Sequence, residues 1–155
     1  MAGILFDTSV YITALRQGES RLLERRRASL TRDGVSHPLW VSAVVLAELY
    51  VGAAEKRARQ HLLRMERSFA ALNRLLAPIQ QDWSLAGQVL AQLGAKYGYE
   101  QVGRTRMLHD ALIAMSAARR GLTIITYNGE DFRRLAEFRA VQWVSAGSET
   151  RTTQE

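Results

Sequence analysis

The feature that most constrains this chain is the repeated pairing of a short apolar run with a longer stretch of helical character. Gly3-Ile4-Leu5-Phe6 stops at Asp7 and leads to a helix expected from Val10 to about Arg16, with Ser9 able to cap it. Leu39 to Val41 precedes Ser42, a natural N-cap for a helix from Ala43 to about Ala54. Leu122 to Thr126 precedes an Asn128-Gly129 turn and a short helix from Asp131 to Ala136, and Val141 to Val144 reads as a last strand. Short apolar strands alternating with helices are expected to pair in parallel and to be covered on both faces. The expected fold is therefore α/β, a three-layer α/β/α sandwich around a mainly parallel central sheet.

Between these units, Gly18 to Arg32 is a charged segment of helical character containing Arg25-Arg26-Arg27, and Asp33-Gly34 marks a turn. Lys56 to Leu76 is expected to be one helix, with Leu62, Met65, Phe69 and Leu72 on one face. Pro78-Ile79 reads as extended, and Asp82 as the cap of a helix from Trp83 to Tyr97. Asp110 is expected to open a helix, Ala111 to Arg120, closed by Gly121. No repeat, linker or low-complexity block interrupts the 155 residues, so residues 1–144 read as one domain and residues 145–155 as a polar, frayed tail.

Composition narrows the function classes. No apolar run approaches the roughly 18 residues of a membrane span, and the first residues do not resemble a signal peptide. The absence of cysteine excludes disulfides and thiolate-held zinc. The cytoplasm is the expected compartment. The net charge is +6, and all but two of the 21 basic residues, Lys56 and Lys96, are arginine. Arginine binds phosphate through a planar fork and stacks on bases, which suits an RNA partner, although a GC-rich genome also favours arginine codons.

Against that basic background stand four acids. In parallel α/β sheets ligands bind outside the carboxyl ends of the strands. Asp7 lies at such an end, Asp131 follows the Leu122–Thr126 strand with Thr126 and Asn128 beside it, and Asp110 begins the helix leading into that strand. Each aspartate also sits where a carboxylate routinely caps a helix. Glu48 is harder to explain that way. It lies six residues past Ser42 in the apolar stretch Val44-Val45-Leu46-Ala47-Glu48-Leu49-Tyr50-Val51, too deep for a capping box. A carboxylate facing the interior or a cleft needs a partner, a proton or a metal, and a structural arginine salt bridge is the plain alternative. Together the four form an oxygen-only donor set suited to magnesium or manganese, which one or two ions could use to activate water and stabilise a leaving 3′-oxygen.

Asp7-Thr8-Ser9-Val10-Tyr11-Ile12, Ser42-Ala43 through Glu48-Leu49-Tyr50-Val51-Gly52, His109-Asp110-Ala111-Leu112-Ile113-Ala114, and Thr126-Tyr127-Asn128 with Asp131-Phe132 resemble, in order, the successive motifs of PIN-domain VapC-type toxins. The resemblance spans about residues 3 to 144. It implies magnesium- or manganese-dependent RNA cleavage, with Asp7, Glu48, Asp110 and Asp131 at the acidic catalytic and metal-binding positions and Thr8, Ser9, Thr126 and Asn128 as supporting polar residues. It also implies a homodimer and inhibition by a small antitoxin protein, through which alone the chain would meet DNA. Two positions depart from the pattern: His109 stands where asparagine is common and Tyr127 where arginine is common.

His37, His61 and His109 have no metal-ligand spacing, so surface or core roles are expected for them. Tyr11, Trp40 and Trp83 could stack on RNA, with core packing the simpler expectation; the arginine triplet and Arg104 with Arg106 could contact phosphates or simply be solvated. A haloacid-dehalogenase-like phosphatase would need an aspartate where Ser9 stands, and a receiver domain would need a lysine after a late strand. The remaining rivals are a non-catalytic RNA- or protein-binding module of the same fold and a nuclease of that fold serving RNA maturation or DNA processing.

Overall fold

A computed structural model describes residues 3–16 and 37–146. The charged Gly18–Arg32 segment with its arginine triplet, the Asp33-Gly34 turn and residues 147–155 lie outside the described residues.

Five strands form one parallel sheet in the order β3-β2-β1-β4-β5. They are β1 (Ile4–Phe6), β2 (Leu39–Ser42), β3 (Leu75–Leu76), β4 (Thr123–Thr126) and β5 (Trp143–Ser145). Successive residues of a strand point to opposite faces. All three residues of β1 are nonetheless buried, so both faces of the sheet centre are covered by helices. The edge strand β5 is half-buried or exposed throughout.

The helices are α1 (Thr8–Arg16), α2 (Ala43–Gly52), α3 (Lys56–Ala71), α4 (Gln80–Tyr97), the one-turn α5 (Tyr99–Val102), α6 (Thr105–Arg119) and α7 (Gly129–Ala136). Phe6, Leu93, Leu112, Ile113, Ile124, Phe132 and Leu135 are among the largest fully buried side chains, and they tie α4, α6 and α7 to the sheet. Tyr11 is buried and Trp40 half-buried, as core packing requires, whereas Trp83 is exposed.

Several helix boundaries differ from expectation. Ser42 caps α2 as anticipated, its hydroxyl accepting from the Val44 N–H at 3.1 Å. The long helix expected to reach Leu76 instead ends at Ala71. Asn73 takes a left-handed backbone, φ 54°, and the Arg74 N–H returns to the Phe69 carbonyl at 2.9 Å. The chain is thereby freed to place Leu75–Leu76 beside Val41–Ser42 as an edge strand. Leu72, expected on the buried face, is exposed beyond the helix end, while Leu62 and Phe69 are buried. Helix α4 starts at Gln80, so Asp82 is its third residue, its Oδ2 accepting from the Ile79 N–H at 2.9 Å.

Two further corrections bear on the acids. Helix α1 begins at Thr8, so Ser9 is inside the helix and not its cap. Helix α6 begins at Thr105, so Asp110 lies beyond its first turn and cannot cap it. Among the described residues, no helix is long and apolar enough to cross a membrane.

Candidate active site

The chain steps from β1 to β2 and β3 on one side of the sheet and places β4 and β5 on the other, which makes the β1–β4 boundary the switch point of the sheet. Crevices at the carboxyl ends of strands form at such points. The register pairs Phe6 with Ile125, and the Asp7 N–H donates to the Ile125 carbonyl at 3.0 Å. Asp7 is therefore delivered to the carboxyl end of β1, beside Thr126.

Both oxygens of Asp7 are held. Oδ1 accepts from the Thr8 N–H at 2.7 Å, and Oδ2 accepts from Ser9 Oγ and from Thr126 Oγ1, each at 2.9 Å. Ser9 Oγ and Thr126 Oγ1 in turn accept from the Tyr127 and Asn128 N–H groups at 3.0 and 2.8 Å. Capping and site formation are thus not exclusive at Asp7. Its carboxylate caps the first turn of α1 and, through two hydroxyls, ties that turn to the end of β4.

Asp131 sits in the first turn of α7, where a carboxylate suits the helix dipole, and its Oδ2 accepts from Asn128 Nδ2 at 2.8 Å. Glu48 projects from α2 with its side chain 27% exposed, and Oε1 stands 3.5 Å from Nδ1 of His109 on α6. Among the described residues, no arginine salt bridge occupies Glu48. Burial lifts its carboxyl above the ordinary carboxylate range; His109 opposes the rise, Asp7 adds to it, and Thr8 and Arg106 oppose it. Thr8 Oγ1 is buried near Glu48 without reaching hydrogen-bond geometry.

Asp110 is the centre of the arrangement. It is 4% exposed, and its Oδ2 is buried with no hydrogen-bond partner. Burial, then the charges of Asp7 and Asp131, push its carboxyl up to about 8, with Glu48 adding to the rise and Arg106 opposing it. Asp7, Glu48 and Asp131 therefore all stand within electrostatic reach of Asp110, while Thr8, Ser9 and Thr126 bond Asp7 and Asn128 bonds Asp131. Sequence reasoning missed the His109 contact with Glu48. The signal was available, since His109 is the residue before Asp110, but it was hidden while Asp110 was read as a helix start.

The donor set fits a hard divalent cation, because it contains oxygen only, carries excess negative charge and leaves one buried carboxylate oxygen without a partner. Among the described residues no three His, Asp or Glu side chains stand close enough together to form a ready-made metal-ligand group.

A five-stranded parallel sheet whose switch point is lined by four acids defines a recognisable class, and the PIN domain family matches residues 4–138: the chain belongs to it. The tRNA(fMet)-specific endonuclease VapC of Salmonella typhimurium is 26% identical over 143 residues, spanning 92% of this chain and 99% of that protein. The protein of the same description from Shigella flexneri is 25% identical over 143 residues, with the same coverage. In three dimensions the fold is similar to a chain of DNA-bound VapBC from Salmonella typhimurium, with a TM-score of 0.64 at 23% identity over 94% of this chain and 98% of that one. It is also similar to a chain of FitAB bound to an IR36 DNA fragment, with a TM-score of 0.62 at 23% identity over 92% and 94%.

Proposed function

We propose that this chain is a magnesium- or manganese-dependent endoribonuclease and the toxin of a VapBC-type toxin–antitoxin pair, acting in the cytoplasm. The observation that carries the reading is the buried, unpartnered Asp110 Oδ2 facing Asp7, Glu48 and Asp131 at the switch point of the sheet. The end-to-end match to two proteins described as VapC endonucleases supports it.

Asp7, Glu48, Asp110 and Asp131 would hold the cation. When bound, the ion supplies Lewis-acid polarisation of the scissile phosphate and a more acidic water. Asp7 cannot swing away, because three donors fix its carboxylate. Asp110 contributes a buried oxygen that no hydrogen bond satisfies among the described residues. Glu48 and Asp131 are more exposed and can exchange the ion for water. In hydrolysis water adds to phosphorus, the bond to the 3′-oxygen breaks, and that oxygen leaves with a proton. The products are a 5′-phosphate and a 3′-hydroxyl.

The antitoxin reading is supported on the outer side of the helices. Ile12 and Leu15 on α1, Val51 on α2 and Leu63 on α3 are exposed, Val51 to 90%, and α2 packs against both α1 and α3. An apolar antitoxin segment would cover this surface, and a second copy of the chain would complete a homodimer. Any contact with DNA would be made by the antitoxin.

The test is cleavage of end-labelled single-stranded RNA by purified protein with magnesium or manganese, followed by mapping of the new ends. Ends bearing 5′-phosphate and 3′-hydroxyl, lost in excess EDTA, are expected. Cyclic phosphate products, metal-independent cleavage, or RNA binding without cleavage would overturn the proposal; the last result would favour the non-catalytic module.

A further inference from the structure

Arg106 is not accounted for by the fold. It lies on α6 three residues before His109 and four before Asp110, so the three share one helix face. It is exposed. Its positive charge is felt by both Asp110 and Glu48. Yet among the described residues it forms no ion pair and no side-chain hydrogen bond. An arginine placed merely to neutralise the acids would pair with one of them. Here Glu48 is approached by His109, and Asp110 Oδ2 is left without a partner.

Such a guanidinium keeps all five donors available beside the acidic group. A dense group of carboxylates repels a polyanion, and the cation they hold offsets only the phosphate it touches. The phosphates on either side of the scissile bond need another positive group, and a planar fork matches their non-bridging oxygens.

We propose that Arg106 is a phosphate-binding residue that grips the RNA backbone next to the scissile phosphodiester. This rests on the nuclease reading of the site. The contact is to the backbone and not to a base, so it supplies affinity and alignment without sequence preference.

The experiment compares full-length wild type, Arg106→Ala and Arg106→Lys, using a fluorescein-labelled single-stranded RNA of mixed sequence. Cleavage is followed in saturating manganese, and binding by anisotropy in EDTA over a range of salt. Arg106→Ala should lower kcat/KM and RNA affinity about tenfold, the low end for a charge-assisted hydrogen bond at an exposed site. The slope of log affinity against log salt should fall by about 0.7, as for one lost phosphate contact on a single strand. Arg106→Lys should recover most of the affinity and the slope. The thermal shift produced by manganese should be the same in all three proteins.

If Arg106→Ala cleaves and binds like wild type, the proposal fails and the nuclease stands. It also fails if the variant instead loses stability in EDTA and gains manganese affinity at unchanged kcat/KM, which would make Arg106 only a screen for the acids. Should wild type bind RNA without cleaving it, the nuclease reading fails, and the salt slope alone decides for or against Arg106. A wild type that binds no RNA overturns both.

Discussion

Replacing Asp110 with asparagine isolates the electrostatic cost of the site. Asparagine keeps the shape of the side chain and removes its charge. In the folded protein the Asp110 carboxyl is pushed from an ordinary value of 3.8 up to about 8, first by burial and then by Asp7 and Asp131. Between those values the folded state holds a proton that the unfolded state has released. The unfolded state therefore binds fewer protons, and stability falls as pH rises. The loss is about 1.4 kcal/mol per pH unit across that window, so about 2.7 kcal/mol between pH 5 and pH 7. Asp110→Asn has no proton to lose there. For a chain of this size, wild type should lose about 5 to 10 °C of melting temperature relative to the variant over the same range in EDTA. Side-by-side thermal melts at several pH values provide the assay, and the other titrating groups largely cancel in the difference. If the two melting curves stay parallel from pH 5 to pH 8, Asp110 is ionised in the folded protein and the account of the buried acid is wrong.

Three other substitutions test the metal site and the core beside it. Manganese at about 100 times its dissociation constant should stabilise wild type by roughly 2.7 kcal/mol if it binds only the folded state, and Asp7→Asn and Glu48→Gln should lose most of that gain in paired melts; an equal response in all three would separate these residues from the metal. Arg119→Ala should cost about 2 to 3 kcal/mol in urea denaturation, because Asp82, 1% exposed, would lose its Arg119 Nε and Nη2 contacts at 3.1 Å and leave a buried charge on one backbone N–H; an effect under about 0.5 kcal/mol would show that water replaces the guanidinium.

The parallel sheet was legible because its signal is coarse. Runs such as Ile4-Leu5-Phe6 and Ile124-Ile125 are too apolar to be exposed on either face. Ser42 was legible because a hydroxyl before an apolar helix has one common use, and it performs it. Asp110 was misread locally for the same kind of reason. An aspartate before an apolar stretch looks like a helix start, whereas α6 begins five residues earlier in a stretch, Thr105-Arg106-Met107-Leu108-His109, with no local start signal. The strand Leu75–Leu76 was hidden because two leucines continue a helical pattern as well as a strand, and only Asn73 and the exposed edge of β2 decide between them. Glu48 could be singled out as a misfit in its helix, but its neighbour could not be named, because α2 and α6 meet only once the sheet has formed.

The two hydroxyls that bond Asp7 come from opposite ends of the chain's history. Ser9 is made almost at once, whereas Thr126 emerges more than a hundred residues later and reaches Asp7 only when β4 has slid in beside β1. Asp131 arrives later still. A ribosome-bound or truncated chain ending before β4 therefore carries Asp7, Glu48 and Asp110 but lacks both Asp131 and the Thr126 hydroxyl that orients Asp7. For the nuclease proposed above, the four acids share one site only while β4 lies beside β1, so a change that separates these two strands removes Thr126 from Asp7 and should cost activity.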